Sequence, residues 1–170
     1  LSIRAGEREA SRLLTFVNFI TVQTSRNTLS VSLVAEVSPP LSQTPAGETS
    51  LIDSARTTLN NVVSSLNGNS GVMSVRMLPE TLNSLAVSNN PQDAELLGQL
   101  QTVLAKHQLL ASTFVPFDPS GAEKAKLGAE FDKQLARGIE ILNTRNGDAG
   151  INPRTWFSTR PINTDGISLL

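Results

Sequence analysis

Four short apolar segments recur along this chain of 170 residues at nearly constant spacing. Val31, Val72, Ser112 and Thr155 mark corresponding points in these segments and are 41, 40 and 43 residues apart. A proline follows each segment, and proline ends a strand because it lacks the N–H that a sheet ladder needs. Apolar residues at helical spacing fill the intervals between them. This alternation predicts repeating strand–helix units whose right-handed crossovers build a parallel sheet.

The boundaries of these elements follow from the apolar periodicity and from the turn-forming residues. The predicted strands are residues 29–37, 71–78, 109–115 and 155–159. The predicted helices are residues 51–66, 93–107 and 122–142, with a helical turn at 79–85 and a further helix starting near Thr164. Residues 1–28 fit neither period and are predicted to be an extended segment or linker from a preceding region. Residues 29–170 are then a partial (β/α) domain of about four units.

The even succession of units distinguishes between two parallel α/β architectures. No glycine-rich phosphate loop follows any predicted strand, which argues against a dinucleotide-binding sheet. Similar units in unbroken order are typical of a (β/α) barrel, of which four units are about half. We therefore expect an α/β fold with a parallel sheet that forms part of such a barrel. The chain starts at Leu1 rather than Met, and we expect it to be a piece of a longer polypeptide.

Composition excludes several classes of function. The chain has no Cys and one His, so neither a disulfide, a thiolate zinc site nor a His-rich metal site is expected, and no cofactor is predicted. A net charge of −1 and an aromatic content of 4 % argue against nucleic acid as a partner. No apolar run reaches the roughly 18 residues of a membrane span. Any membrane contact is expected only through regions outside this chain.

Polar residues at the ends of the predicted strands are the candidate site, because parallel α/β folds bind ligands at the carboxyl ends of their strands. Two carboxylates can perform acid–base catalysis on a glycosidic bond, Arg can hold a carboxylate or phosphate, and Trp can stack on a sugar. The candidate catalytic residues are Glu36, Glu80 and Asp118, and the candidate ligand-binding residues are Arg76, Trp156 and Arg160. No metal ligands are predicted.

Structural explanations compete with these roles. Asp118 precedes Pro119 and is a good helix N-cap, and Glu80 suits the first turn of a helix, where the dipole favours an acid. Arg76 could pair with an acid or face solvent, and Trp156 could pack in a core. Glu36, inside a strand, is the acid that capping explains least.

Two stretches carry a resemblance to a known family. Residues 109–119, with their Val115-Pro-Phe-Asp-Pro119 element, and residues 127–138 resemble an uncharacterised family of large exported actinobacterial proteins. The likeness extends over about residues 29 to 170. Members of that family are membrane-anchored cell-envelope proteins, so the resemblance implies an extracytoplasmic, membrane-associated location for the full-length protein. Asp118 corresponds to the acid of the family's Pro-x-Asp-Pro element.

The family is distantly similar to polysaccharide deacetylase-like (β/α) barrels, which implies a carbohydrate setting. Deacetylases hold a metal with paired Asp residues and a His-x-x-x-His motif, which this chain lacks. Three hypotheses remain. The chain is a cell-envelope domain that binds cell-wall glycan or an envelope protein. Alternatively, it is a glycoside hydrolase-like enzyme that uses the strand-end carboxylates. The third is a purely structural domain of a larger assembly.

Overall fold

The computed structural model describes residues 2–5, 8–12, 31–44, 46, 49–147 and 150–170. The chain divides into two compact units, Leu1–Val31 and Ser32–Leu170. In the first unit, β1 (Ser2–Ala5) pairs with β2 (Arg8–Arg12) in antiparallel fashion. The described parts of this unit are therefore extended, and the rest of the predicted N-terminal segment lies outside the described residues.

The second unit is a parallel sheet whose strands alternate with helices, which confirms the predicted α/β class. The sheet has the order β3-β4-β5-β6, and all three neighbouring pairs run parallel. Its strands are β3 (Val34–Val37), β4 (Ser74–Met77), β5 (Gln108–Leu110) and β6 (Gly150–Asn152). Its helices are α1 (Asp53–Asn67), α2 (Pro79–Val87), α3 (Pro91–Leu104), α4 (Pro119–Lys124), α5 (Gly128–Arg145) and α6 (Thr164–Ile167).

One face of the sheet carries the main core. Alternate strand residues point to this face, as the two-residue period of a strand requires. They pack against apolar side chains from α1, α2, α3 and α5. Among the fully buried members of this core are Leu59, Val75, Met77, Leu82, Leu100, Leu109 and Leu142. The four longest helices therefore share a single apolar layer with the sheet.

An ion pair fastens α1 to α3 on this helix-covered face. Arg56 Nε donates to Asp93 Oδ1 at 2.6 Å, and Arg56 Nη2 donates to Asp93 Oδ2 at 3.0 Å. Ser88 adds a hydroxyl donor to the same carboxylate at 2.6 Å. The Arg56 hydrogen bond lowers the pKa of Asp93 below its usual value, against the opposing effect of burial.

The predicted third strand is shorter in the structure because the residues beyond Ala111, whose N–H still donates to the carbonyl of Asn152 at 3.2 Å, turn to other partners. Ser112 Oγ donates to the carbonyl of Met77 at 3.1 Å. The backbone N–H of Phe114 donates to the carbonyl of Gln134 in α5 at 2.9 Å. The bond between Phe114 and Gln134 is possible because Gly138 lets α5 approach closely: a Cβ there would lie 2.0 Å from the Ser112 carbonyl oxygen.

The predicted fourth strand, residues 155–159, is wrong. The strand in that position is β6, which pairs with β5 from Gln108 opposite Gly150 to Leu110 opposite Asn152. The ladder ends there because the N–H of Arg154, which would make the next bond to β5, donates instead to Asn152 Oδ1 at 3.0 Å. Trp, Phe and Thr favour strands only where a partner lies alongside, and residues 155–159 form no strand.

The single helix predicted over residues 122–142 is also wrong, because the chain forms α4 and α5 with a stop between them. Lys126 has a φ of 58°, in the left-handed region. The N–H of Leu127 donates to the carbonyl of Ala122, and the N–H of Lys126 donates to that of Glu123, both at 2.8 Å. This is the Schellman pattern of helix termination, with a lysine at the position usually held by glycine.

Among the described residues, no helix combines the length and apolar character needed to cross a membrane.

Candidate functional site

A cleft of about 330 Å³ lies at the carboxyl ends of the strands, and we call it the strand-end cleft. It brings together five of the six predicted site residues, which come from β3, from β4 and from the segments that follow β5 and β6. These residues are Glu36, Arg76, Asp118, Trp156 and Arg160, and their neighbours in the lining include Ser38, Phe117 and Phe157. The rule that parallel strands place their ends at one rim therefore locates this cluster correctly.

Glu36 and Arg76 form an ion pair at the floor of the cleft. They are direct neighbours across β3 and β4, and Arg76 Nη1 donates to Glu36 Oε1. The Arg76 side chain is 16 % exposed, and its guanidinium carbon lies 6.0 Å from the centre of the Trp156 ring. That distance is within the range of a cation–π contact. Arg76 therefore pairs with an acid, as one of its two structural explanations predicted, and also contacts the aromatic part of the cleft.

Two aromatic residues of the cleft are supported by a third that is buried. Phe131, on α5, is fully buried. Its ring centre lies 5.8 Å from that of Phe117 and 5.6 Å from that of Trp156, with both pairs tilted. These separations are typical of favourable ring contacts. Trp156 thus packs against the core residue Phe131, as its structural explanation predicted, and it also lines the cleft.

Asp118 has the predicted capping role and faces the cleft as well. It is the N-cap of α4, and its Oδ2 accepts the backbone N–H of Gly121 at 2.6 Å. The residue is exposed, and it belongs to the lining of the cleft. The carboxylate consequently belongs to the cleft lining and makes its structural hydrogen bond at the same time.

Arg160 lies in a bend at the rim of the cleft. Its N–H donates to Ser158 Oγ at 3.1 Å, and Ser158 Oγ donates to the Arg160 carbonyl at 2.8 Å. The residue is exposed, and within the described part of the chain its guanidinium takes part in no ion pair. This cation is therefore available to a ligand.

Glu80 stands apart from the other five, because it is buried at 1 % exposure and does not line the cleft. It lies in the first turn of α2, as predicted. Its Oε1 accepts the backbone N–H groups of Ser42 and Gln43, both at 3.1 Å, and contacts the hydroxyls of Ser42 and Ser84 at 2.6 and 3.0 Å. Its Oε2 has no hydrogen-bond partner among the described residues.

Phe117 and Phe157 are cleft residues that the strand-end rule did not select. Phe117 stands between two prolines and beside Asp118, directly after the third apolar segment. An aromatic residue between prolines at a strand end is a signal that could have added it to the candidates. Phe157 is adjacent to Trp156, but the wrong strand assignment for residues 155–159 gave no reason to place it at a rim.

No group of three or more His, Asp or Glu side chains in the described ranges is arranged to hold a metal ion. Comparison with known proteins gives no relative: no family model, no curated protein and no solved structure matches this chain.

Proposed function

We propose that the strand-end cleft binds a glycan. The observation that carries this proposal is the combination of Trp156 and Phe117, braced by buried Phe131, with charged side chains on the adjacent wall. Sugar rings have apolar faces that pack on aromatic rings, and hydroxyl groups around their edges that bond to carboxylate and guanidinium groups. A cleft of this composition offers both kinds of contact.

The charges in the cleft favour a glycan with little net charge. Glu36 and Asp118 balance Arg76 and Arg160, and the first acid is already paired with the first base. A strongly anionic polysaccharide would meet two carboxylates, and a strongly cationic one would meet two guanidinium groups. Like-charge contacts of this kind cost free energy and disfavour both classes.

We further propose that the sheet is part of a (β/α) barrel. The strands lie in sequence order, and the four longest helices contribute to the core on one face. In doubly wound sheets, helices cover both faces and the strand order reverses, whereas barrels have one helical layer outside the sheet. Among the described strands, β3 stands at one end of the order, and Leu33 and Val34 are 47 and 42 % exposed, which fits a strand that has a further neighbour in a complete barrel.

The biological setting in this proposal rests on the family resemblance of residues 29 to 170. An exported protein anchored in a bacterial envelope would meet cell-wall glycan outside the cytoplasm. An envelope protein as the ligand is the other partner consistent with that setting, and the binding test below separates the two.

A carbohydrate-active enzyme is the second candidate, because Glu36 and Asp118 line the same cleft. Glycosidases use two carboxyl groups on opposite sides of the scissile bond. The arrangement favours binding over hydrolysis, since Glu36 is paired with Arg76 and Asp118 caps α4. Glu80 is outside the cleft and has no path to a bond held there.

Binding to purified peptidoglycan and to soluble chito-oligosaccharides tests the main proposal. We expect saturable binding that falls about tenfold or more in Trp156→Ala, because aromatic contact area dominates such sites. Arg160→Ala should weaken binding, whereas Arg154→Ala, a matched exposed arginine outside the cleft, should not. Equal affinity for wild type and Trp156→Ala would overturn the proposal. Binding only to envelope protein extracts would point to the protein partner instead.

Asp118→Asn tests the enzymatic alternative cleanly. Asn is as good an N-cap as Asp, so α4 should keep its start while the cleft loses a carboxylate. Release of reducing ends from the same glycans by wild type, abolished in this variant, would establish hydrolysis. Absence of turnover alongside retained binding would leave the binding role.

A further inference from the structure

Glu80 is the point where the segments that follow three neighbouring strands meet. Its carboxylate accepts the backbone N–H groups of Ser42 and Gln43, in the segment after β3. Its own N–H donates to the carbonyl of Phe114, in the segment after β5, at 3.1 Å. Glu80 itself follows β4, in the first turn of α2. Glu80 thus connects the three segments that follow β3, β4 and β5.

The position of the Glu80 side chain requires a hydrogen-bond acceptor, because an apolar side chain there would leave the surrounding donors without a partner. Ser42 and Ser84 carry one hydroxyl proton each, so together with the two amides they supply up to four hydrogen bonds around one carboxylate oxygen. No described residue pairs with Glu80 as a cation. A buried carboxylate is costly unless such donors and a helix N-terminus satisfy it. Hydrogen bonds to a charged acceptor are about twice as strong as neutral ones.

The segments that Glu80 connects also form part of the cleft rim. Ser38 lies four residues before Ser42, and residues 116–119 follow Phe114 by two to five positions. Ser42 has one further backbone contact, because the N–H of Ser50 donates to the Ser42 carbonyl at 2.9 Å. Fixing Ser42 and Phe114 therefore fixes both stretches that lead into the cleft.

We propose that Glu80 is a positioning residue of the strand-end cleft: its carboxylate holds the segment after β3, and its backbone N–H holds the segment after β5, without touching the ligand. The part of this inference that concerns a ligand rests on the proposed glycan-binding function. The part that concerns the rim does not, and the two parts are tested separately.

Amide hydrogen exchange tests the rim. Glu80→Gln keeps one oxygen acceptor and removes the charge, and Glu80→Leu removes the acceptor altogether. We expect the amides of Ser42 and Gln43 to exchange about tenfold faster or more in Glu80→Leu, and less so in Glu80→Gln. Exchange in residues 112–118 should rise less, because the contact with Phe114 is made by the backbone N–H of residue 80, which both variants keep. The core amides of α1 and α3 should not change. Glu95→Gln, on the exposed surface of α3, is the matched control.

The chain has a single tryptophan, so quenching of Trp156 fluorescence by acrylamide reports on the cleft without any ligand. A loosened rim should raise the quenching constant of both Glu80 variants above that of the control. Affinity for chito-oligosaccharides and peptidoglycan, measured well below each melting temperature, should fall about tenfold in Glu80→Leu.

Unchanged local exchange in a folded Glu80→Leu variant would overturn the inference. A uniform rise in amide exchange that includes α1 and α3 would also overturn the inference, because it would show that Glu80 stabilises the whole fold and not the rim in particular. Faster exchange at Ser42 and Gln43 together with wild-type glycan affinity would show that the rim does not position the ligand. If wild type binds neither probe, the proposed function fails, and the exchange and quenching patterns still decide whether Glu80 holds the rim.

Discussion

The helix-covered face of the sheet and the strand-end cleft are built by different kinds of interaction. The face is a layer of apolar side chains from strands and helices, in which Leu59 and Leu100 are fully buried. The rim of the cleft is held by separate hydrogen bonds, such as those of Glu80 with Ser42 and of Phe114 with Gln134. Many shared contacts set the stability of the first region, whereas single donors and acceptors set the shape of the second.

This difference predicts that core substitutions will lower stability and leave the cleft of the folded molecule unchanged. Leu59→Ala removes a fully buried side chain of α1 and should reduce the free energy of unfolding by about 2–5 kcal/mol. Denaturant unfolding measures this loss. Glycan affinity well below the midpoint should stay within about twofold of wild type. A large loss of affinity in the folded variant would break the separation of the two regions.

The ion pair between α1 and α3 is the polar exception on the helix-covered face. Asp93→Asn keeps the shape but leaves Arg56 with only the exposed carboxylate of Asp53 as a charged partner, and it should cost about 2–3 kcal/mol at neutral pH. Because folding lowers the pKa of Asp93, its contribution is fully present above the unfolded value of about 4. This contribution to stability should disappear as the pH falls through the lower pKa that Asp93 has in the folded protein.

Denaturant midpoints of wild type and Asp93→Asn from pH 7 to pH 2 should therefore converge at the acid end. Asp132→Asn, at an exposed position on α5, is the control and should give no such convergence. A constant gap between wild type and Asp93→Asn across this range would contradict the assignment.

Gly138 lies where the two regions meet, and its substitution should affect both. A Cβ at this position would lie 2.0 Å from the Ser112 carbonyl and 3.0 Å from the Phe114 amide nitrogen, so α5 must move away from the segment after β5. We expect Gly138→Ala to cost about 1–3 kcal/mol by thermal unfolding. It should also increase amide exchange in residues 112–118. Gly98→Ala is the control, since nothing lies within 4 Å of a Cβ there and helix propensity should make it stabilising.

The smallest expected effect is a gain in stability at the stop between α4 and α5. Lys126 adopts a left-handed conformation that glycine accepts without a steric penalty. Lys126→Gly should therefore stabilise the protein by about 0.5–1 kcal/mol in denaturant unfolding. The same substitution at Lys133, inside α5, should destabilise it by about 1 kcal/mol. If Lys126→Gly lowers the free energy of unfolding, as Lys133→Gly should, the left-handed position carries no strain.

The regions also differ in how far the sequence predicts them. Apolar periodicity locates α1, α3 and the parallel sheet, because burial on one face leaves a regular pattern in the sequence. The strand-end rule then collects Glu36, Arg76 and Asp118 at one cleft. The exit from β5, the stop at Lys126 and the position of β6 were not predictable in this way. Each depends on a partner distant in the chain or on one left-handed residue, and neither produces a repeating pattern.

The contacts of Glu80 are another feature that the sequence pattern did not predict. Its position after the second strand marked it as a candidate for the cleft, and its place in the first turn of a helix marked it as structural. Neither reading included Ser42 and Gln43, which are about forty residues earlier and carry no periodic signal. Contacts of this kind follow from the way separate loops approach each other once the sheet has formed.

Among the described strands, β3 stands at one end of the order, and this has a consequence for self-association. A strand without a neighbour on one side can pair with another molecule, and no charge or proline within Val34–Val37 other than Glu36 opposes it. Self-association should therefore increase with protein concentration. A lysine introduced at Val34 would be a reasonable first step toward a preparation that stays monodisperse for the binding measurements.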